Sequence, residues 1–536
     1  MVVSEVTVTP SIVLATLNAK YIHAALGLRY LLANMGDLRA QTVLREFTIA
    51  RPAPEIVDEL LLTLGDASAE QGKQVVGFGV YIWNVQQTSA VIRLLRAQRP
   101  QIKIVLGGPE VSHELDEQEI VQLADHVITG WGDLSFARLC RALLHGPRPL
   151  NKVIAGEQPA LSEIAFPYAE YSAADLQHRL LYVEASRGCP FKCEFCLSAL
   201  DKSAWAFDLD NFLREMDGLY QRGARNFKFV DRTFNLKIDA SIRILQFFLD
   251  RLPAPAADQS DAELFVHFEV VPDHLPDRLK AMIARFPPGV LQFEVGIQSF
   301  NVDVQQRISR KQDNEKTELN LRWLVEESND HLHSDLIFGL PGETLESFAA
   351  GFDRLYALRP HEIQLGILKR LRGTPIARHS VEWGMVYDPL PPYTVQQTGA
   401  VDALTMQRFT RFARYWDMLA NSGRFARTLP FLLGQQASPF YAFLAFADWL
   451  WQSTAKTSGL TPEALLDALF DYLCKCCGQP EKTVKKYLLA DYVASGARSN
   501  PLALQGLLPK RQAPVKNARA LVQRQERHLP GRQMVD

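Results

Sequence analysis

Two successive series of short apolar runs restrict this chain to parallel α/β architecture, because stretches with apolar residues at three- and four-residue spacing separate the runs. In the first series Ser11–Thr16, Val75–Val80, Ile104–Gly108 and His126–Gly130 read as buried strands. Helices are expected near 23–35, 54–64, 85–98 and 134–145. This predicts an N-terminal doubly wound, Rossmann-like domain over residues 1–150, with its ligand crevice at the carboxyl ends of the strands. Gly107-Gly108-Pro109 and Gly130-Trp131-Gly132-Asp133 stand at two of those ends. A stretch with Pro159 and Pro167 reads as a linker over 151–177. The second series has strands near 181–186, 226–231, 264–270, 291–297, 334–339 and 362–368, which predicts a partial β/α (TIM-like) barrel over 178–394. From 395 to 536 the pattern is helical and aromatic-rich, ending in a basic tail.

Three of the seven cysteines lie in Cys189-Pro-Phe-Lys-Cys193-Glu-Phe-Cys196, just after the first strand of the second series. Thiolates are soft donors suited to zinc or iron–sulfur clusters. A structural zinc site closes with four ligands, and no fourth cysteine is near in sequence. Three thiolates leave one metal position open, as catalysis requires. Cys474-Lys-Cys476-Cys477 sits inside an apolar helical pattern and reads as core or surface side chains.

Ser186-Arg-Gly-Cys189-Pro-Phe-Lys-Cys193-Glu-Phe-Cys196 resembles the CxxxCxxC signature of the radical S-adenosylmethionine (SAM) enzymes. The resemblance implies that Cys189, Cys193 and Cys196 hold a 4Fe–4S cluster whose fourth iron is chelated by SAM. It also implies reductive cleavage of SAM to a 5′-deoxyadenosyl radical, with an electron donor such as flavodoxin or ferredoxin. Phe195 matches the aromatic position near the adenine. Phe229-Val-Asp231 ends the second strand, where the family places groups that receive the SAM amino group; the usual GGE form is absent, and Asp231 is the candidate. Phe293-Glu294-Val-Gly296-Ile-Gln298 resembles the fourth strand, whose polar residues Glu294 and Gln298 approach the ribose. Asp335-Leu-Ile-Phe-Gly339-Leu-Pro341-Gly342 and Leu371-Arg-Gly373-Thr374-Pro375 resemble the fifth strand and the turn after the sixth. Polar residues fall on one face of these strands: His267, Glu269, Gln292, Glu294, Asp335, Glu362 and Gln364. Since helices cover the outside of a parallel barrel, that face is expected to line a reaction chamber.

A doubly wound domain ahead of such a barrel resembles the cobalamin (B12)-binding radical SAM proteins. Gly107 and Gly108 match the glycine pair that admits the nucleotide tail of the corrinoid, Gly130 opens a GEGE-like turn, and Leu26–Leu31 matches the first helix. The DxHxxG motif and the serine of SxL are absent, with Tyr81-Ile-Trp83 near the latter, and His23 lacks the flanking Asp and Gly. Two readings follow: a corrinoid without a protein His ligand, or a first domain kept as scaffold or substrate-recognition module. The helical region after 395 is similar to an extension found in one group of these proteins. Methylation or rearrangement of an unactivated carbon is the implied chemistry.

With 536 residues, 58 Lys+Arg and 60 Asp+Glu, the chain holds several cores and has no bulk charge for polyanions. A non-catalytic, zinc-stabilised RNA-binding protein is the remote alternative, because the tail Lys510–Arg532 carries seven basic residues and one Glu. No interleaved aromatics accompany them, so a solvated face is the plainer reading. The longest uncharged stretch, 428–447, has Gly434, Gln435, Gln436, Ser438 and Pro439 at its centre, which argues against a membrane span. The N-terminus lacks the basic and apolar regions of a signal peptide, so a cytoplasmic protein is expected.

Overall fold

Alternation along β1 (Ile12–Asn18) sends Val13, Ala15 and Leu17 to one side of a sheet and Ile12 and Leu14 to the other. Both sets are buried, as a strand between two helical layers requires. The computed structural model describes residues 10–65, 73–201, 204–252, 264–497, 499–508 and 527–528. The expected basic tail therefore lies outside the described residues, except for Arg527 and His528. By contacts the chain divides into two units. One comprises Met1–Arg232, Lys369–Ala377 and Asp388–Thr394; the other comprises Thr233–Leu368, Arg378–Tyr387 and Val395–Asp536.

In the first unit β1 joins β2 (Thr42–Thr48), β3 (Val75–Gly79), β4 (Lys103–Gly107), β5 (His126–Thr129) and β6 (Val153–Ala155) in a parallel sheet of order β2-β1-β3-β4-β5-β6. Helices Ala53–Leu64 and Val85–Gln98 pack on one face, and Leu26–Ala33 and Ser135–His145 on the other. Strand order reverses between β1 and β3, so the crevice of a doubly wound sheet opens at their carboxyl ends.

Two of these six strands were not legible in the sequence. β2 carries Arg45 and Glu46 at its centre, whereas a buried parallel strand is expected to be apolar. Its position at the sheet edge explains the exception. Glu46 accepts from Ala25 N (2.7 Å), Arg29 (2.7 Å) and Arg179 (2.7 Å), and Arg29 also reaches Asp175 (2.9 Å). β6 is a three-residue edge strand inside the segment expected to be a linker.

Burial acts to raise the carboxyls of Glu46 and Asp175, but Arg29, together with Arg179 and Ala25 N at Glu46 and Ser172 at Asp175, outweighs it, and both sit below their ordinary values. Their contribution to stability is therefore complete above the unfolded values of 4.5 and 3.8. It is lost as pH falls through the depressed folded values. Glu46→Gln leaves two buried guanidiniums short of a counter-charge. Urea unfolding at pH 7 is expected to show a loss of about 3 kcal/mol, and the loss shrinks in acid.

The first unit continues with β7 (Leu181–Val183), β8 (Ser186–Arg187), β9 (Trp205–Ala206) and β10 (Asn226–Phe229). β10 runs parallel to β7, while β8 and β9 pair antiparallel across the mouth of the cysteine loop.

The second unit holds β11 (Phe265–Val270), β12 (Leu291–Gln298), β13 (His331–Phe338) and β14 (Glu362–Ile367), all parallel in the order β11-β12-β13-β14. Register places Glu269, Glu294, His333 and Glu362 in one cross-strand row, with Gln292 beside His267 and Asp335 beside Gln364. The polar residues singled out in the sequence thus share one face. Phe268, Phe293 and Leu332 occupy the other.

After a short strand at Val395–Gln397 the chain is helical, from Ala403–Leu419 to Glu481–Ala494. Phe409, Phe412, Trp416 and Phe440 pack with Phe338, Phe348 and Phe352 of the β/α repeats. The aromatic richness of this region is therefore a packing surface. No helix among the described residues is long and apolar enough to cross a membrane.

Candidate functional site

Gly77 and Gly79 alternate with Val76 and Phe78 along β3, so one face of this strand carries no side chains at these two positions. A methyl group on Gly77 would meet the Phe136 ring at 2.6 Å, and one on Gly79 would meet Leu28 at 2.6 Å. Helices Leu26–Ala33 and Ser135–His145 approach here, leaving a cavity of about 430 Å³ lined by both glycines together with Leu14, Val105 and Ile128. Gly77 and Gly79 carry no recognisable motif in the sequence. The signal was their two-residue spacing within an otherwise apolar strand.

The three glycines that were singled out also line this cavity. Gly108 has φ +107°, and a Cβ there would lie 2.5 Å from Val80 O and 3.0 Å from Val80 N. Gly130 has φ +70° with open space where a Cβ would stand. At Gly107 the nearest atom to such a Cβ is Ile128 O at 3.8 Å, an ordinary van der Waals contact, so a Cβ there meets no obstacle. A bare strand and two tight turns give a ligand access to backbone, and they fit the nucleotide tail of a corrinoid.

The same cavity is lined on its other side by Glu184, Ser186, Arg187, Gly188, Ser198 and Asp201, from the segment that carries the cysteines. Cys189 and Cys193 are buried and Cys196 is half-buried. The loop is held by Cys189 N donating to Asp201 O (3.2 Å) and Cys196 N donating to Cys193 O (3.1 Å). Burial raises the Cys189 thiol, and the Cys196 and Cys193 thiols add to the effect, so the three sulfurs are electrostatic neighbours. Among the described residues no three His, Cys, Asp or Glu side chains converge as a ready-made site for a single metal ion. Three adjacent soft thiolates fit a cluster with one open iron. Phe195 is half-buried in the same loop.

Asp231 is buried at the end of β10. It accepts from Ala185 N (3.0 Å) and Ser186 Oγ (2.5 Å), so its immediate contact is the strand entering the cysteine loop. Burial pushes its carboxyl up to about 7, against the pull of Ser186 and Ala185. Arg187, two residues before Cys189, donates to both oxygens of Asp133 (3.0 and 3.0 Å) and to Glu184 (2.7 Å). Burial acts to lower its pKa, but Glu184 and Asp133 outweigh it and fix the guanidinium in its charged form.

Glu294 and Gln298 belong to the second unit. His267 Nε2 lies 3.0 Å from Glu294. Gln298 follows a bulge in β12 and takes φ +70°, a left-handed conformation that an amide side chain adopts at some cost. Its side chain folds back over Gly296, where an added Cβ would meet Gln298 Nε2 at 2.4 Å. Gln298 Oε1 is buried without a hydrogen-bond partner among the described residues, which fits an acceptor waiting for a ligand donor. On this face His333 lies 3.3 Å from Asp335. Burial acts to lower its pKa, yet Asp335, Glu362 and Glu294 raise it. His23 lies elsewhere, stacked on Tyr182 with Nδ1 2.8 Å from the Tyr182 hydroxyl.

Residues 12–140 match the B12 binding domain, residues 183–355 the Radical SAM superfamily, and residues 381–533 a protein of unknown function (DUF4080). A 2-(S-pantetheinyl)-carbapenam-3-carboxylate methyltransferase from Streptantibioticus cattleyicolor is 25% identical over 317 residues, covering 54% of this chain and 45% of that protein. The cobalamin-dependent radical SAM methyltransferase TokK from Streptomyces tokunonensis is 24% identical over 332 residues, covering 55% and 47%. The chain thus spans less than half the length of these two curated relatives. Among solved structures, the cobalamin-dependent SAM radical enzyme OxsB with aqua-cobalamin bound aligns with a TM-score of 0.59 at 12% identity, over 91% of this chain and 81% of that one. The radical SAM methyltransferase TsrM from Kitasatospora setae, with tryptophan and a SAM analogue bound, aligns at 0.55 and 17% identity, over 74% and 81%. At these identities the two structures share the fold of this chain.

Proposed function

We propose, for a chain whose residues 183–355 match the radical SAM superfamily and whose residues 12–140 match the B12 binding domain, the activity of a cobalamin-dependent methyltransferase acting on an unactivated carbon. The radical SAM domain implies a 4Fe–4S cluster and SAM, and the B12-binding domain implies cobalamin. Bound there, the cluster supplies the electron that cleaves SAM and the corrinoid carries the methyl group. Like other radical SAM enzymes it needs a substrate and a reductant. A flavodoxin or ferredoxin in the cytoplasm is the proposed electron source.

The observation that carries this reading is one cavity with two walls. Gly77, Gly79, Gly107, Gly108 and Gly130 line it from the first sheet, and the residues around Arg187 and Gly188 line it from the start of the cysteine loop. In this reading Cys189, Cys193 and Cys196 hold the cluster, and Gly107, Gly108 and Gly130 admit the corrinoid tail. Phe195 packs near the adenine, and Asp231, Glu294 and Gln298 seat SAM.

The test is anaerobic reconstitution with iron, sulfide and hydroxocobalamin, followed by SAM and a low-potential reductant. Corrinoid at about one per chain together with release of 5′-deoxyadenosine is expected. Nucleoside release from a chain that takes up no corrinoid overturns the methyltransferase reading. In the same assay Gln298→Ala, which removes the unsatisfied acceptor, is expected to weaken SAM binding about tenfold with iron content unchanged.

A further inference from the structure

Arg187 is where the B12-binding domain and the cysteine loop are tied together within the first unit. Its fork lies flat against Asp133 through two 3.0 Å bonds, and its Nε reaches Glu184 at 2.7 Å. Asp133 closes the turn that begins at Gly130, and Glu184 lies just beyond β7. The guanidinium carbon is 4.4 Å from the centre of the Tyr30 ring, 4.9 Å from Trp131 and 5.6 Å from Phe207. Tyr30 comes from the first helix of the B12-binding domain and Trp131 from the same turn as Asp133, so one cation gathers two elements of that domain.

Arginine suits this place and lysine does not. All three kinds of guanidinium nitrogen are engaged, and the planar group stacks on aromatic faces while its edge donates. The backbone N–H groups of Cys189 and Cys196 donate to Asp201 O and Cys193 O, bonds that stay within the cysteine loop.

We infer that Arg187 is a positioning residue for the corrinoid. It fixes the turn Gly130–Asp133 against the strand that leads into the cysteines, so that the corrinoid cavity and the cluster loop share one rigid wall. This inference rests on the corrinoid reading above. It assigns Arg187 no contact with iron and no part in bond cleavage. Its consequence is a division of effects. Losing Arg187 loosens the cavity wall and leaves two buried carboxylates facing each other, whereas the three thiolates and the bonds that hold their loop remain.

The experiment compares the reconstituted full chain with Arg187→Met, Arg187→Lys and Asp133→Asn. Hydroxocobalamin affinity is read by absorbance, alongside iron and sulfide per chain and the circular dichroism of the corrinoid-free protein. Corrinoid affinity is expected to fall about a hundredfold in Arg187→Met and about tenfold in Arg187→Lys, which keeps the charge but not the fork. Asp133→Asn is expected to fall between them. Iron content stays at the wild-type level in all three. Equal corrinoid affinity across the series overturns the inference, and so does iron loss that parallels corrinoid loss. If Arg187→Met does not fold, Asp133→Asn, which keeps the shape of the site, decides on the same criteria. A wild-type chain that binds no hydroxocobalamin overturns the underlying reading and the inference with it. A wild type that binds, with variants that bind equally well, overturns the inference alone.

Discussion

Cys193→Ala is expected to lose its 4Fe–4S cluster and all SAM cleavage while keeping its fold. Cys193 is 9% exposed and lies between Cys189 and Cys196 in a loop anchored by backbone bonds to Asp201 and across the turn. Removing one small side chain from that loop leaves those bonds in place, so unfolding by urea is expected to shift by about 1 kcal/mol or less. The cluster, however, depends on three thiolates, and two of them leave a second iron open to solvent. Cys140→Ala is the control. That thiol is fully buried in the first core among Leu139, Leu143 and Phe136, and burial drives its pKa far above the ordinary thiol value. It is inert, so its loss costs about 1 kcal/mol of stability through lost packing and no iron. Cys474, Cys476 and Cys477 are at least partly exposed at a helix end, and their replacement by Ser is expected to change neither quantity. Iron and sulfide per chain, measured beside the unfolding midpoint, separate the two classes of cysteine.

The second large effect is expected at adjacent glycines that behave oppositely. Gly108→Val places a branched side chain at φ +107° and against the backbone of Val80. That position is both conformationally strained and sterically blocked, and a loss of about 3 kcal/mol or more is expected. The turn at the end of β4 must move, and corrinoid affinity goes with it. Gly107→Leu projects into the cavity with its nearest neighbour 3.8 Å away. Its thermal midpoint is expected to match wild type, while hydroxocobalamin affinity falls about a hundredfold because the side chain occupies the ligand's space. A Gly107→Leu protein that binds corrinoid normally places the tail elsewhere.

These contrasts show what the sequence makes legible and what it does not. The cysteine signature stands out in the sequence because its spacing is local: three soft donors fall within eight residues. Both strand series were readable because parallel strands buried on two faces are nearly continuous apolar runs. β2 escaped because Glu46 is neutralised by Arg29 and Arg179, and Arg179 lies more than a hundred residues away in sequence. Gly77 and Gly79 escaped because a strand glycine reveals its purpose only when Phe136 and Leu28 are seen above it. Asp231 lies just beyond β10, and its bonds to Ala185 and Ser186 follow from parallel pairing of β7 with β10, which spacing alone does not specify. Arg187 stands within the cysteine signature, but its partner Asp133 is 54 positions earlier.

One preparation must hold both groups at once. Elemental analysis of the anaerobically reconstituted full chain after gel filtration is expected to find about four irons and about one cobalt per chain, with Cys193→Ala losing the iron and Gly107→Leu losing the cobalt. About one zinc per chain with neither iron nor cobalt would contradict it.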